Sequence, residues 1–311
     1  MVAPSHRLTA LGAADWAISD PDLNYRLNPA RNDVNEFSMP APEISIPKPK
    51  GVTRIIILGD SLPYFGDPTF VELLQEYYRT NNKVEIFSAA TPGYTTFQEV
   101  MYYKKYLDTL EPDLILLSYC LNDNHRFLHR FDENENMLWT EEAEKSLSVH
   151  NPLDAFIVKS YFLSSLRLAF IDKQRRPESS PYPWETDLTT HVAWKDHTWN
   201  EFHRLLKELN DSVKIHNGKL FVIIFPLEVQ LNPEFTDNNF YYVTKPQKRV
   251  MAFCQTLGLA CLDLFDPFFS LSQGGAELYT DGLHFTTAGH MLAASEISAF
   301  LNRHYFAETK Q

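Results

Sequence analysis

The sequence predicts an α/β fold, a flavodoxin-like three-layer sandwich in which a five-stranded parallel sheet carries helices on both faces. From residue 54 onward, short apolar runs typical of buried strands alternate with segments whose apolar residues recur at helical spacing. Such alternation is typical of parallel sheets, and the preference for right-handed crossovers leaves few strand orders. A chain of 311 residues is also long enough to bury a sizeable core.

Each predicted strand is a short apolar run that ends at a turn signal, and each predicted helix is a longer segment with apolar residues three and four positions apart. We predict strands at residues 54–59, 84–88, 114–119, 220–225 and 259–264. We predict helices at residues 68–80, 97–109, 196–216, 246–257 and 287–303. His290 is expected to belong to the last of these helices.

Two segments do not follow this alternation. Residues 1–51 are polar and rich in proline, which predicts an extended N-terminal arm with one short strand near residues 44–46. Residues 52–311 are predicted to form the main domain. Within that domain, residues 125–195 are predicted to be an insertion over the strand ends, with a helix at residues 153–171.

The composition limits the classes of partner. The formal net charge of −12 argues against nucleic acid or an anionic membrane as the main partner. No apolar stretch reaches the length of about 18 residues that a membrane span needs. Three cysteines give no disulfide framework, but they leave open one bridge between Cys254 and Cys261. The first residues do not resemble a signal peptide, which leaves open a cytosolic protein or an extracytoplasmic one whose leader has been removed.

The sequence carries no pattern that indicates a cofactor or a metal. It has no glycine-rich phosphate loop, no HExxH pattern and no CxxC pair. His125 and His129 are four residues apart, as on a metal-binding helix face, but no neighbouring residues support a metal site. We therefore expect neither a cofactor nor a metal.

Residues able to do chemistry follow four of the predicted strands. The first strand ends in Gly59-Asp60-Ser61-Leu62, the second is followed by Pro92-Gly93-Tyr94-Thr95, and the third by Leu121-Asn122-Asp123. Asp281 and His284 come after the fifth strand. Because ligands of open α/β sheets bind at the carboxyl ends of the strands, we expect these residues to converge.

A serine, a histidine and an aspartate at one sheet edge are the parts of an acyl-transfer site. A serine hydroxyl is a weak nucleophile unless a base takes its proton, and His284 is the candidate base for Ser61. Asp281 lies three residues before His284, so one tight turn can place its carboxylate beside the imidazole. The carboxylate would then fix the tautomer of the ring and stabilise the imidazolium.

The four blocks together resemble those of the SGNH hydrolases, also called the GDSL family. The family is named for four blocks that hold a serine, a glycine, an asparagine and a histidine. Here the four blocks occur in the family's order, and the resemblance covers residues 52 to about 305. One position departs from the family pattern, since Cys120 stands where a glycine is usual, two residues before the asparagine. The resemblance implies the SGNH hydrolase fold and a serine esterase that works through an acyl-enzyme.

The resemblance also implies an oxyanion hole. Its donors would be the backbone N–H groups of Ser61 and Gly93 and the side-chain amide of Asn122. A glycine suits position 93 because a side chain there would crowd the approaching acyl group. An asparagine suits position 122 because its NH₂ group donates without carrying a charge.

The substrate is predicted only by class. We expect removal of a small acyl group, such as acetyl, from a carbohydrate or similar polyol ester. Aromatic residues of the insertion could form a sugar-stacking wall, or they could pack the insertion onto the sheet; they are Tyr182, Trp184, Trp194 and Trp199. A lipase, lysophospholipase or thioesterase is the second interpretation, with an acyl groove supplied by the apolar residues from Phe156 to Leu168. An O-acyltransferase and a carbohydrate-binding domain with an inactive site are further alternatives.

Overall fold

A five-stranded parallel sheet lies at the centre of the protein in a computed structural model. The structure describes residues 16–79, 83–131, 137–139, 182–185, 187 and 189–307. The strands in chain order are β1 (Ala17–Asp20), β2 (Asn24–Leu27), β3 (Thr53–Gly59), β4 (Val84–Ala90), β5 (Leu114–Tyr119), β6 (His129–Phe131), β7 (Met137–Trp139), β8 (Lys219–Ile224) and β9 (Ala260–Asp263). The central sheet has the order β4-β3-β5-β8-β9, which is the flavodoxin-like order that the sequence predicts.

Helices cover both faces of this sheet. The α-helices in chain order are α1 (Phe70–Tyr78), α2 (Thr96–Tyr102), α3 (Trp199–Ile215), α4 (Pro233–Val243), α5 (Lys245–Leu257), α6 (Phe265–Gln273) and α7 (Thr287–Leu301). Helix α1 packs against α7, and α2 packs against α3. Helix α2 continues as a π-helical turn, Tyr103–Leu107, and α7 as another, Asn302–Phe306.

The central strands are buried on both faces. Every residue of β5 is buried, and so is every residue of β3 from Arg54 to Gly59. A strand covered on both faces needs apolar side chains in both directions, which is why these strands appear in the sequence as continuous apolar runs. The bounds predicted for the five central strands agree with the structure to within two residues.

The N-terminal segment contains more structure than an extended arm. Strands β1 and β2 form an antiparallel hairpin, whose turn is held by Asp20 Oδ1 accepting from the N–H groups of Asp22 and Leu23. Tyr25 and Leu27 of this hairpin are fully buried in the main core. The hairpin was not predicted because its strands are only four residues long and include charged residues.

The short strand predicted near residues 44–46 is wrong. Residues 41–50 contain no strand in the structure, and Ile46 is 54% exposed. Prolines on both sides of this segment lack the N–H donor that a sheet ladder needs, so an apolar residue there does not imply a strand. Those prolines are Pro40, Pro42, Pro47 and Pro49.

The aromatic residues predicted as either a sugar-stacking wall or packing are mainly packing. Trp184, Trp194 and Trp199 are all 5% exposed or less, and Trp184 stacks on Trp194 with ring centroids 5.0 Å apart. Trp199 opens helix α3 and lies against Tyr119 of the central sheet. The predicted helix at residues 153–171, and with it the apolar run from Phe156 to Leu168, lies outside the described residues.

Two of the three cysteines are paired. A disulfide joins Cys254 of α5 to Cys261 of β9, the one pairing that the sequence leaves open. Cys120 is buried and free.

In the part of the chain that the structure describes, the helices are too short or too polar to span a membrane.

Candidate active site

Ser61 lies at the carboxyl end of β3, in a turn that leads toward α1. The preceding Gly59 is needed for space, because a Cβ atom there would lie 2.6 Å from Cγ of Pro63 and 3.0 Å from Cβ of Ser118. The N–H of Phe65 donates to the carbonyl of Ser61 at 2.8 Å and closes the turn. The side chain of Ser61 is therefore presented at the edge of the sheet by a closely packed turn.

His284 joins Ser61 to Asp281 by two short contacts. Nε2 of His284 lies 2.8 Å from Oγ of Ser61, and Nδ1 lies 2.8 Å from Oδ2 of Asp281. When Nδ1 carries the proton and donates to the carboxylate, Nε2 is left free to accept the serine proton. The structure thus brings together the three residues that the sequence places after the first and fifth central strands.

The loop from Asp281 to His284 is held in a tight turn. Oδ1 of Asp281 accepts from the backbone N–H of His284 at 2.8 Å and from that of Leu283 at 3.2 Å. Gly282 has a φ of +86°, a left-handed conformation that glycine adopts without strain. Phe65 packs edge-on against the His284 ring, with centroids 5.6 Å apart, and limits the movement of the imidazole.

The hydrogen bonds of Asp281 favour its charged form. Partial burial acts to raise the pKa of Asp281, but the hydrogen bond with His284 and those with two backbone N–H groups outweigh it. The pKa of Asp281 therefore lies below its ordinary value. The carboxylate stays ionised at neutral pH, where it can stabilise a protonated His284 ring.

Gly93 follows β4 in the turn from Thr91 to Tyr94. Its φ is +78°, and a Cβ atom there would lie 2.5 Å from Cδ2 of His129 and 2.8 Å from the hydroxyl oxygen of Tyr25. The reason predicted for this glycine, room for the acyl group, is thus incomplete. Glycine is required because its backbone is left-handed and the space of a side chain is already filled.

Asn122 follows β5 and is held by Asp60. Its Nδ2 donates to Oδ2 of Asp60 at 2.9 Å, and Oδ1 of Asp60 accepts from the N–H of Leu62 at 3.0 Å. The same carboxylate therefore ties Asn122 to the turn that contains Ser61. An amide nitrogen carries two N–H groups, so one of them is left for another acceptor.

Cys120 fits the turn in which the family pattern usually has glycine. Its backbone N–H donates to Oδ2 of Asp123 at 2.8 Å, and the N–H of Asp123 donates back to the carbonyl of Cys120 at 3.0 Å. The small thiol side chain is buried and leaves this closed turn intact.

Sequence reasoning missed two residues that support the site. Asp60 is one of them, although its position next to Ser61 in the first block could have identified it. His290 of α7 is the other, since its Nδ1 accepts from the N–H of Phe70 at 3.1 Å, at the first residue of α1. A Cβ atom at Gly66 would lie 2.4 Å from Nε2 of His290, so this ring also packs under the loop that follows Ser61.

His125 and His129, the two histidines spaced as on a metal-binding helix face, contact different groups. Nε2 of His125 lies 3.1 Å from the carbonyl of Thr189, whereas His129 packs against Gly93. Burial lowers the pKa of His129 to about 4, so its ring is neutral at physiological pH. Among the described residues, no group of three or more histidine, cysteine or acidic side chains is arranged to hold a metal ion.

The sequence matches the model of the GDSL-like lipase/acylhydrolase family over residues 57–292, which is most of the chain. The chain belongs to this family. It is accordingly an SGNH-type ester hydrolase, and a catalytic triad and an oxyanion hole are typical of that family. A comparison with curated protein sequences finds no match.

Several solved structures are similar to this chain. A lipase/acylhydrolase from Enterococcus faecalis is 14% identical, with 80% of this chain and 95% of that chain covered and a TM-score of 0.48. An α/β hydrolase enzyme from the metagenome of Lake Arreo, Spain, is 12% identical, with coverage of 80% and 95% and a TM-score of 0.50. An acetylxylan esterase from Geobacillus stearothermophilus, a catalytic mutant, is 12% identical, with coverage of 81% and 95% and a TM-score of 0.49. At 12% identity, the likeness to the Lake Arreo enzyme concerns the fold alone.

Proposed function

We propose that this hydrolase cleaves carboxylic esters through an acyl-enzyme formed on Ser61. The observation that carries the proposal is the pair of side-chain contacts that link Asp281 to His284 and His284 to Ser61, both at 2.8 Å. A remote histidine could not take the serine proton directly, whereas this one lies within hydrogen-bonding distance of the serine hydroxyl.

The reaction follows from these contacts. Oγ of Ser61 attacks the ester carbonyl carbon while its proton passes to Nε2 of His284, and Asp281 stabilises the resulting imidazolium. The tetrahedral intermediate collapses, the imidazolium gives its proton to the leaving alcohol oxygen, and the acyl group stays on Ser61. Water then attacks the acyl-enzyme with His284 again as base, which releases the carboxylic acid and restores the serine hydroxyl.

The proposed oxyanion donors are the backbone N–H groups of Ser61 and Gly93 and the second N–H of Asn122. Three donors fixed in advance stabilise the developing negative charge without rearranging during the reaction. The hydrogen bond from Asn122 to Asp60 supports this role, because it fixes the orientation of the amide next to the nucleophile's turn.

For the substrate we propose an ester with a small acyl group on a carbohydrate or other polyol. Two observations support it. His129 and Tyr25 fill the side-chain space of Gly93, so no acyl chain can occupy that space. The net charge of −12 disfavours docking on anionic lipid surfaces. The buried tryptophans do not form a sugar-stacking wall.

A chain-length series tests this specificity. We expect kcat/KM for nitrophenyl esters to fall beyond butyrate, because a small pocket cannot bury additional methylene groups. An acyl groove would instead stabilise the bound ester by up to about 0.8 kcal/mol for each methylene group that it buries. A steady rise from acetate to octanoate or dodecanoate would contradict the small pocket and favour the lipase interpretation. Acetylated xylan and chitin-type oligomers, assayed alongside with Ser61→Ala as the blank, test the polyol part.

A further inference from the structure

We propose that Tyr25, on the N-terminal hairpin, is a positioning residue for the oxyanion hole and holds the Pro92–Gly93 peptide in the orientation that the reaction needs. The hydroxyl of Tyr25 donates to the carbonyl oxygen of Pro92 at 2.8 Å. That carbonyl belongs to the same peptide group as the N–H of Gly93. This inference rests on the proposed function, in which the Gly93 N–H binds the oxyanion.

The two ends of one peptide group cannot be oriented independently. A trans peptide is planar, and its C=O and N–H bonds point in opposite directions. Fixing the Pro92 carbonyl on the Tyr25 hydroxyl therefore fixes the direction of the Gly93 N–H on the other side of the plane. A hydrogen bond to the carbonyl also polarises the peptide and makes its N–H a better donor.

The local backbone makes such a restraint necessary. The N–H of Tyr94 donates to the carbonyl of Thr91 at 3.0 Å, and Gly93 at φ +78° occupies the third position of this four-residue turn. Proline second and a left-handed glycine third define a type II turn. Because glycine also accepts the negative φ of a type I turn, the central peptide can flip by rotating its plane. A flip would turn the Gly93 N–H away from the oxyanion, and the Tyr25 hydrogen bond opposes it.

Tyr25 is well suited to act as a fixed donor. Its side chain is fully buried, and burial together with the nearby Asp60 carboxylate raises the pKa of Tyr25, so the hydroxyl keeps its proton. The hairpin that carries it is anchored to the start of α2. The hydroxyl of Tyr94 donates to the carbonyl of Tyr25 at 2.6 Å, and Nε2 of Gln98 donates to the carbonyl of Leu23 at 2.8 Å.

The hairpin also supports the other side of the glycine. Nδ2 of Asn24 donates to the carbonyl of His129 at 3.3 Å, and the His129 ring is the group that fills the side-chain space of Gly93. The hairpin lies before residue 57, where the match to the family model begins. A segment of this chain outside the matched region thus holds the Gly93 turn from two directions.

The test compares Tyr25→Phe with Tyr102→Phe. Tyr102 is also fully buried, and its hydroxyl donates at 2.6 Å to the carbonyl of Phe37 in the same N-terminal segment rather than to the Gly93 turn. The Tyr102 ring packs edge-on against Tyr94 with centroids 5.9 Å apart, and Tyr102→Phe keeps that ring. Both variants lose one hydrogen bond donated by a buried tyrosine to a backbone carbonyl, so we expect losses of stability of the same order in denaturant unfolding. Only Tyr25→Phe should lower kcat, by about tenfold, because a misoriented donor costs transition-state stabilisation. KM for nitrophenyl acetate should change by less than about twofold in both variants.

The rate of inactivation by a serine-reactive phosphonate gives a second readout, because the phosphonate oxygen occupies the oxyanion site. We expect this inactivation rate to fall in Tyr25→Phe and not in Tyr102→Phe. The inference is overturned if the two variants retain equal kcat, if both lose it equally, or if Tyr25→Phe changes only KM. These outcomes are distinct from failure of the proposed function, which would appear as hydrolysis by Ser61→Ala at the wild-type rate.

Discussion

Asp60 is the residue that connects the turn of Ser61 to the proposed oxyanion donor. One oxygen of its carboxylate accepts from the Leu62 N–H and the other from the Asn122 amide, and the side chain is completely buried. Burial raises the pKa of Asp60, and the hydrogen bonds from Leu62 and Asn122 offset part of that effect. A single side chain thus sets the relative position of Ser61 and Asn122.

Replacing Asn122 by alanine tests the oxyanion role. We expect Asn122→Ala to lower kcat by about 10²–10³-fold with little change in KM, because the lost hydrogen bond forms mainly in the transition state. Asn124→Ala is the matched control, since Asn124 lies in the same loop but accepts from the Tyr119 hydroxyl and donates to Oγ1 of Thr198. Steady-state kinetics on a nitrophenyl ester provide the measurement. A loss confined to KM would make Asn122 a substrate-binding residue instead.

At the scale of secondary structure, the sequence predicts the elements that carry the site. Strands β3 and β5 are covered on both faces, so their apolar runs are unbroken and even their ends could be placed. The residues after them then follow from the topology, because parallel strands present their carboxyl ends at one edge.

Other elements could not be predicted because their stability comes from tertiary contacts. The β1–β2 hairpin is too short and too polar to give a periodic signal, and it is stabilised by hydrogen bonds to residues far along the chain. His290 of α7 likewise forms a hydrogen bond to α1, and burial lowers the pKa of His290 to about 4 and keeps the ring neutral. A neutral ring can accept from the N–H at the first residue of α1, a group that the helix itself cannot satisfy. Such pairings join residues more than 60 positions apart, so local patterns do not reveal them.

At the scale of the whole molecule, three carboxyl groups are buried behind the site. Asp60, Glu99 and Asp123 are each 1% exposed or less. Burial raises the pKa of Glu99 well above its ordinary value, and the charge of Asp60 adds to the shift. Burial also raises the pKa of Asp123, with further contributions from Glu99 and Asp60. Within the described residues, neither carboxyl oxygen of Glu99 has a hydrogen-bond partner.

This cluster predicts a stability that depends on pH. Glu99 keeps its proton in the folded state at pH values where the unfolded chain has lost it, so the free energy of unfolding should fall as the pH rises above about 4.5. Glu99→Gln removes that proton linkage, and we expect the decline to become shallower by up to about 1.4 kcal/mol per pH unit. Urea unfolding between pH 5 and 8 measures the slope, with Glu36→Gln at an exposed position as control. Equal slopes in wild type and Glu99→Gln would show that Glu99 is ionised in the fold.

The residue that a serine-reactive phosphonate modifies identifies the nucleophile directly. Ser61 is the serine whose hydroxyl lies 2.8 Å from His284 Nε2, so we expect a single label, placed on Ser61 by peptide mass spectrometry. Ser61→Ala should take up no label, whereas Ser270→Ala, at an exposed position on α6, should be labelled like the wild type. A label on another residue, or labelling of Ser61→Ala at the wild-type rate, would contradict the assignment of Ser61 as the nucleophile.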